Sequence, residues 1–269
     1  MMENFKFKKE FGQNFIFDGN LLSAIVSDAG ITSDDEVLEI GAGAGTLTKK
    51  LCEKAKKVVS YEIDKNLTEH LYEIQKQNQN LQVEMKDALK ENIDEIEKHF
   101  SGNYKIVANL PYYITSPMIF KFLEQTQRVS SMTVMVQKEV AERFSAKENS
   151  KEYGIATIMI NYHADVEYLR TVGRQMFTPP PNVDSALIKI TPANKEKANN
   201  DEIFALMVKT AFSSRRKTLS NNLSKLGISK SDVDNAIGDF GKPPTTRAEQ
   251  LSIHEFILLS NKLQKFVKI

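Results

Sequence analysis

The feature that most constrains the fold of this chain is a regular alternation of short apolar runs with helical segments, beginning near residue 36. The runs are rich in β-branched residues, and the segments between them place apolar residues at positions i, i+3 and i+4. This order predicts a mostly parallel sheet with right-handed crossovers, and hence a doubly wound α/β domain. The predicted strands are EVLEI (36–40), KVVSYEI (57–63), LQVEM (81–85), KIVANL (105–110) and MTVMVQ (132–137), and two of the helical segments are LTEHLYEIQKQ (67–77) and PMIFKFLE (117–124).

The pattern changes after residue 138. Two further runs, ATIMINYH (156–163) and SALIKI (185–190), are expected to be extended and to add an antiparallel hairpin at the edge of the sheet. The segment TPANKEKANN (191–200) is polar and lacks periodicity, so we predict that it is a linker. The sequence therefore predicts an α/β domain over residues 1–192 and a second domain over residues 193–269.

The second domain is predicted to be small and all-α. No strand pattern follows residue 190, whereas several short segments have the apolar spacing of amphipathic helices. Ser252 and Glu255 have the spacing of a capping box at the start of the last helix.

The net charge of +1 conceals a division between the two predicted domains. Residues 193–269 contain 13 lysines and arginines and eight acidic residues, which gives a net charge of +5. Residues 1–192 contain 23 lysines and arginines and 27 acidic residues, which gives a net charge of −4. A basic excess is typical of proteins that bind nucleic acids. We therefore expect contacts with a polyanion to come from the C-terminal part of the chain.

Other features narrow the class of protein. No run approaches the roughly 18–20 apolar residues that cross a bilayer, and the N-terminus lacks the apolar core of a signal peptide. We therefore expect a cytoplasmic protein without a membrane partner. We also expect a monomer. The single cysteine, Cys52, and four scattered histidines do not have the spacing of a zinc site, so no metal is expected. Cys52 is predicted to be a small core residue.

A glycine-rich turn and two acids predict a cofactor site. Gly41, Gly43 and Gly45 lie between the first strand and the next helix, with a G-x-G-x-G spacing that differs from the G-x-G-x-x-G of a dinucleotide site. Glu62 ends the second strand, where a carboxylate can accept hydrogen bonds from both ribose hydroxyls, and Asp87 ends the third, where it can accept the amino group of adenine. S-adenosylmethionine, whose product is S-adenosylhomocysteine, fits this arrangement.

The fourth strand leads into the most specific motif, Asn109-Leu110-Pro111-Tyr112. The exocyclic amine of a nucleobase is planar and a poor nucleophile because its lone pair is delocalised into the ring. Two acceptors, the Asn109 side chain and the Leu110 backbone carbonyl, can hold such an amine and favour its rehybridisation. Pro111 fixes the backbone so that this carbonyl faces the pocket, and Tyr112 can stack on a base that is extruded from its helix or loop.

Two further expectations concern the surroundings of this motif. Ser116 is predicted to cap the following helix, with Pro117 at its first position. Three prolines after Phe177 stiffen a loop, so Phe177 can form the opposite face of a sandwich around the base.

These motifs resemble those of the ribosomal RNA adenine dimethyltransferase family, and most closely its KsgA-type branch, which acts on the small ribosomal subunit. The resemblance covers nearly the whole chain. It rests on FGQNF (11–15), GAGAGTLT (41–48), YEID (61–64), NLPYYITSP (109–117), MVQKEVAERF (135–144), FTPPPNVDS (177–185) and AFSSRRKTLSNNL (211–223).

The resemblance implies a Rossmann-like class I methyltransferase domain followed by a small helical domain for RNA and subunit recognition. It implies transfer of methyl groups from S-adenosylmethionine to the N6 atoms of two adjacent adenosines in a hairpin loop near the 3′ end of 16S rRNA, in the assembling small subunit. Ile16 stands where the family commonly has leucine, a swap that conserves volume. The cofactor contacts that the resemblance implies are Asn14, Ile16, Gly41, Glu62, Asp87 and Asn109.

Arg215, Arg216 and Lys217 place three cations in one turn of the basic domain. Attached to a domain that modifies a base, such a cluster favours contacts with RNA phosphates.

Three alternatives remain open. The nearest is a large-subunit rRNA adenine methyltransferase of the macrolide-resistance type, which shares the Asn-x-Pro-Tyr region but resembles this chain less in residues 211–223 and 247–252. A ribosome-assembly factor with a vestigial cofactor fold would not need the acceptor set at Asn109. An NAD-dependent dehydrogenase conflicts with the glycine spacing.

Overall fold

The computed structural model describes residues 14–267, which divide into two compact units. The first contains residues 14–141 and 166–192, and the second contains residues 142–165 and 193–267. The sequence-based division assigned residues 142–165 to the first domain, whereas they pack with the second unit. The reason is that Tyr153, Ile158 and Tyr162 belong to the hydrophobic core of the helical unit.

The structure contains one large sheet and one small one. The strands of the large sheet are β2 (Glu36–Ile40), β3 (Lys57–Tyr61), β4 (Leu81–Glu84), β5 (Tyr104–Asn109), β6 (Val129–Gln137), β7 (Ala164–Val172) and β9 (Ser185–Pro192), and the small antiparallel sheet consists of β1 (Phe15–Ile16) and β8 (Phe177–Thr178). The large sheet has the strand order β4-β3-β2-β5-β6-β9-β7. The strands β2 to β6 pair in parallel, and β9 pairs with β6 in the antiparallel sense. This confirms the α/β class with a mostly parallel sheet.

Helices connect the parallel strands and form most of the second unit. The helices that begin in the first unit are α1 (Gly19–Asp28), α2 (Thr46–Cys52), α3 (Thr68–Gln77), α4 (Ile93–Glu97), α5 (Tyr112–Gln125) and α6 (Lys138–Phe144). Those of the second unit are α7 (Ile155–Asn161), α8 (Asp201–Ala211), α9 (Leu219–Leu223), α10 (Lys230–Gly238) and α11 (Ile253–Leu263). The predicted capping box is confirmed at the start of α11, where the Ser252 N–H donates to Glu255 Oε2 (2.7 Å) and the Glu255 N–H donates to Ser252 Oγ (3.2 Å).

The prediction that residues 156–163 are extended is wrong, because most of them form α7. A short, continuous apolar run fits a buried helix as well as a buried strand, so its periodicity could not separate the two. Ile158 and Ile160 are fully buried in the helix, and the Gly154 N–H at its start donates to Thr157 Oγ1. The edge strand β7 begins only after the helix ends, at Ala164.

The predicted start of α5 is also wrong. The helix begins at Tyr112, immediately after Pro111, so Ser116 and Pro117 lie inside it. Pro111 has an extended backbone conformation (φ −54°, ψ 135°), and its carbonyl accepts hydrogen bonds from the Ile114 N–H and the Thr115 hydroxyl. The first turn of α5 therefore forms directly at the end of the Asn109 motif, which brings Tyr112 against the end of β5.

Among residues 14–267, no helix is long and apolar enough to cross a membrane. The same residues contain no group of histidines, cysteines and acids that could hold a metal ion. Cys52 is a half-buried free thiol that packs against the core of the first unit, and burial raises its pKa to about 12.

A buried carboxylate lies on β2, shortly before the glycine turn in the chain. Glu39 is 1% exposed on the central strand β2. Its Oε2 accepts hydrogen bonds from Thr48 Oγ1 on α2 (2.6 Å) and Ser60 Oγ on β3 (2.5 Å), while its Oε1 has no partner among the described residues. Burial raises the pKa of Glu39 to about 7.

This carboxylate should make the stability of the protein depend on pH. As the pH rises from about 4.5 to about 7, the unfolded chain loses the Glu39 proton before the folded chain does, so the free energy of unfolding falls. Glu39→Gln does not titrate, so its stability relative to the wild type should increase across this range by a few kcal/mol, at about 1.4 kcal/mol per pKa unit. Urea unfolding at pH 4 to 8 measures the difference.

Glu53→Gln, which changes an exposed acid that pairs with Lys50, is the matched control and should follow the wild type. Parallel pH profiles for Glu39→Gln and the wild type would contradict the raised pKa of Glu39.

Candidate functional site

A cavity of about 410 Å³ lies at the carboxyl ends of β2, β3, β4 and β5. All of its lining residues belong to the first unit. Open α/β sheets bind ligands at this edge, because loops from neighbouring parallel strands converge there. The cavity is lined by every residue that the sequence nominated for the cofactor or the target base: Asn14, Ile16, Gly41, Gly43, Glu62, Asp87, Asn109, Leu110, Pro111, Tyr112 and Phe177.

The glycine turn is held against the end of β3. The N–H groups of Gly41 and Ala42 both donate to the Tyr61 carbonyl, at 2.8 and 3.1 Å. Gly43 has a left-handed backbone (φ +55°), and a Cβ atom there would lie 2.7 Å from the Phe15 ring, which lines the cavity. Glycine is required here for two reasons. An L side chain is strained in this backbone conformation, and a side chain of any size would collide with the Phe15 ring.

Three backbone N–H groups fix the carboxylate of Glu62. Its Oε1 accepts hydrogen bonds from Ile63 and Asp64, and its Oε2 accepts one from Gly43, each at 2.8 Å. Glu62 is 7% exposed, and burial raises its pKa although these hydrogen bonds act in the opposite direction. The side chain therefore has one fixed orientation at the cavity wall, and Oε2 retains a lone pair for a ligand hydroxyl.

Asp87 begins a tight turn after β4. Its Oδ1 accepts a hydrogen bond from the Leu89 N–H at 3.0 Å, and its Oδ2 lies 3.7 Å from the Nζ of Lys90, whose side chain is 84% exposed. One carboxylate oxygen is thus committed to the loop. The other faces a solvent-exposed cation at a distance too long for a hydrogen bond, so it can accept one from an amino group in the cavity.

Asn109 lies at the end of β5 with its amide orientation fixed. Its Nδ2 donates to the Asn14 backbone carbonyl at 2.9 Å, so its Oδ1 is the acceptor that remains. No described residue donates to the neighbouring Leu110 carbonyl. Asn109 Oδ1 and the Leu110 carbonyl oxygen therefore lie on adjacent residues, and no described residue donates a hydrogen bond to either.

Two aromatic side chains complete this end of the cavity. The hydroxyl of Tyr112 forms a hydrogen bond with Ser185 Oγ at 2.8 Å, and burial raises the Tyr112 pKa. Phe177, which is 3% exposed, lies on β8 opposite Ile16 of β1. Sequence reasoning missed Ser185 as a partner of Tyr112, because only the strand pairing of β9 brings a residue so distant in the chain to the first turn of α5.

The three predicted RNA-binding cations lie in the second unit and differ in their surroundings. The guanidinium of Arg215 donates to the carbonyls of Lys151 (2.5 Å) and Tyr153 (2.9 Å), so it holds a segment of its own unit. Arg216 and Lys217 are exposed and have no carboxylate partner in the described part of the chain. The Leu219 N–H donates to the Thr246 carbonyl, which brings the exposed Arg247 close to this turn.

Comparison with known proteins agrees with this geometry. The family model described as ribosomal RNA adenine dimethylase matches residues 4–265. The chain belongs to this family of rRNA adenine dimethylases.

Relatives from bacteria match the chain over almost its whole length. Ribosomal RNA small subunit methyltransferase A of Caldanaerobacter subterraneus subsp. tengcongensis is 46% identical over 267 residues, covering 98% of this chain and 99% of the relative. The protein of the same name from Clostridioides difficile is 43% identical, covering 96% of this chain and 91% of the relative.

Two solved structures share the fold. A dimethyladenosine transferase from Plasmodium falciparum is 28% identical with a TM-score of 0.77, covering 93% of this chain and 98% of that one. The 23S rRNA methyltransferase ErmE is 25% identical with a TM-score of 0.74, covering 93% of this chain and 100% of that one.

Gly43→Ala tests the fit of the glycine turn. The new Cβ would displace the Phe15 ring, and alanine would have to adopt the left-handed backbone conformation of Gly43. That conformation costs an L residue roughly 1–2 kcal/mol. We expect the affinity for S-adenosylhomocysteine, measured by calorimetry, to fall about tenfold. Gly102→Ala is the matched control, since a Cβ there meets no atom within 4 Å. Wild-type affinity in Gly43→Ala would contradict the placement of the ligand against this turn.

Proposed function

We propose that this enzyme transfers methyl groups from S-adenosylmethionine to the N6 atoms of two adjacent adenosines in a hairpin loop near the 3′ end of 16S rRNA, within the assembling small ribosomal subunit in the cytoplasm. The observation that carries the proposal is the pair of oxygen acceptors at Asn109 and Leu110, which open into the same cavity as Glu62 and Asp87. One cavity thus offers an adenosine-binding end and an amine-binding end.

The first end fits the cofactor. Glu62 presents a fixed carboxylate for the ribose hydroxyls, and Asp87 presents its second oxygen for the adenine amino group. Ile16 supplies an apolar wall, and the glycine turn supplies a wall of backbone atoms. Asn14 also lines the cavity, and its backbone carbonyl accepts a hydrogen bond from Asn109. When bound, S-adenosylmethionine supplies an electrophilic methyl group on its sulfonium.

The second end fits the target amine. Asn109 Oδ1 and the Leu110 carbonyl each accept one N–H of the amine, which holds it and favours the pyramidal form with its lone pair free. Because Asn109 is itself fixed through Asn14, the acceptor is oriented before the base arrives. The nitrogen becomes acidic as it gains the methyl group and releases its proton to solvent, so no general base is needed.

Tyr112 and Phe177 supply the walls for the extruded base. Ser185 holds the Tyr112 hydroxyl, which fixes the direction of the side chain at the start of α5. Stacking on such rings contributes about 1–3 kcal/mol per base, which offsets the free energy of removing an adenosine from its loop.

The small-subunit target is supported by the relatives at 42–46% identity, which are named for the small subunit. The 23S enzyme ErmE is only 25% identical. We therefore do not favour the macrolide-resistance type of activity for this chain.

A methylation assay tests the target. Purified, unmodified small and large ribosomal subunits are incubated with the enzyme and labelled S-adenosylmethionine, and the modified nucleotides are mapped by mass spectrometry. We expect dimethyladenosine at two adjacent positions near the 3′ end of the small-subunit RNA. Label confined to the large subunit would overturn the assignment.

Asn109→Ala serves as the inactive variant in this assay. It should lower turnover at least a hundredfold, because only one of the two acceptors remains, and it should leave S-adenosylhomocysteine binding measurable. Asn103→Ala, at an exposed loop position, is the matched control and should keep wild-type turnover. Near-normal turnover in Asn109→Ala would contradict the proposed role.

The cations of the second unit are proposed to bind RNA phosphates unequally. Arg216→Ala and Lys217→Ala should each weaken binding to the small subunit. Each should also reduce the magnitude of the slope of log K against log salt concentration by roughly one for each phosphate that is no longer neutralised. Arg215→Ala should instead lower the melting temperature, because two carbonyls are left without their donor. Lys230→Ala, at an exposed lysine of α10, is the charge-matched control. Equal salt slopes for all four variants would refute this division.

A further inference from the structure

A buried lysine holds one of the loops that line the cavity. Lys121, on α5, is 9% exposed. Its ammonium group donates hydrogen bonds to the carbonyls of Ala88 and Leu89, each at 2.9 Å, and to the carbonyl of Glu91. An ammonium group has three protons, so a single loop accepts all of them. Burial lowers the pKa of Lys121, and these hydrogen bonds compensate for the removal of water around it.

The other end of this loop is closed by Asp87. The Leu89 N–H donates to Asp87 Oδ1, and the N–H groups of Lys90 and Glu91 donate to the Asp87 carbonyl, each at 3.0 Å. The N–H groups of the turn therefore point back to Asp87, while its carbonyls converge on Lys121. The position of Asp87 at the cavity wall is thus determined from both sides of the turn.

Lys121 also connects this loop to the other end of the cavity. The helix that carries it begins at Tyr112, directly after the Asn109 motif. A shift of the loop relative to α5 would change the distance between the adenine-binding acid and the amine-binding acceptors. A ligand that contacts both ends of the cavity would then lose contacts at one of them, so its affinity would fall.

We propose that Lys121 is a positioning residue that fixes the Asp87 loop on α5 and thereby sets the affinity for the cofactor. This inference rests on the cofactor site of the proposed function. Lys121 lines the edge of an open groove of about 450 Å³, together with Lys90, Glu91 and Phe120. Water from this groove can hydrate the loop carbonyls when the ammonium group is removed, so its removal should affect the loop more than the fold.

Lys121→Met keeps the length of the side chain and removes its charge. We expect the dissociation constant for S-adenosylhomocysteine, measured by calorimetry, to rise at least tenfold, while kcat at saturating S-adenosylmethionine changes less than threefold. Lys76→Met, at an exposed lysine of α3, is the matched control and should match the wild type. A folded Lys121→Met protein with a dissociation constant within twofold of the wild-type value would overturn the proposal.

A double-mutant cycle with Asp87→Ala separates positioning from general stability. If Lys121 acts through Asp87, adding Lys121→Met to Asp87→Ala should weaken binding less than twofold further. Fully multiplicative effects of the two substitutions would overturn the proposal. If Lys121→Met does not fold, Lys121→Arg provides the test. An affinity for S-adenosylhomocysteine that is three- to tenfold weaker, at the wild-type melting temperature, supports the proposal, and wild-type affinity overturns the proposal. Absence of S-adenosylhomocysteine binding by the wild type would instead refute the cofactor assignment itself.

Discussion

The interaction on which the functional end of this protein depends is the clamp around the Glu62 carboxylate. It joins Gly43 of the turn after β2 to the backbone of Ile63 and Asp64 after β3. Among the described residues, the other hydrogen bonds that join the glycine turn to the next strand are the two to the Tyr61 carbonyl. Since the carboxylate is already fully oriented by the chain, a ligand hydroxyl that binds to it does not have to order the side chain first.

A second buried carboxylate, Glu39, lies on β2 close to the start of this turn. The charge of Glu62 contributes to the raised pKa of Glu39, after the larger effect of burial. Thr48 and Ser60 share one Glu39 oxygen and so connect α2 to β3. The sheet edge that lines the cavity is therefore held by polar contacts within the core as well as by the packing of its apolar residues.

The charge of the chain is divided in a way that suits two different tasks. The negative side chains of the first unit include the acids of the cavity wall, which suit a cationic cofactor. The basic excess lies in the C-terminal residues, yet the structure shows that these cations are not equivalent. Arg215 is engaged in holding its own unit, whereas Arg216 and Lys217 are exposed. A low total charge is thus consistent with recognition of an assembled RNA surface by a few exposed cations rather than by general attraction.

The sequence by itself determined the α/β class, the order of the parallel strands along the chain and several of the cavity residues, because strand periodicity, glycine spacing and the acids at strand ends are local signals. It failed where a local signal was ambiguous. Residues 156–163 have an apolar run that fits helix or strand, and the start of α5 depended on how Pro111 closes β5 rather than on Ser116. Only the tertiary structure decided that Ser185 holds Tyr112, that Lys121 holds the Asp87 loop and that Arg215 is occupied. Each of these contacts joins residues at least 30 positions apart, and such pairs are specified by the packing of whole elements, which no local pattern records.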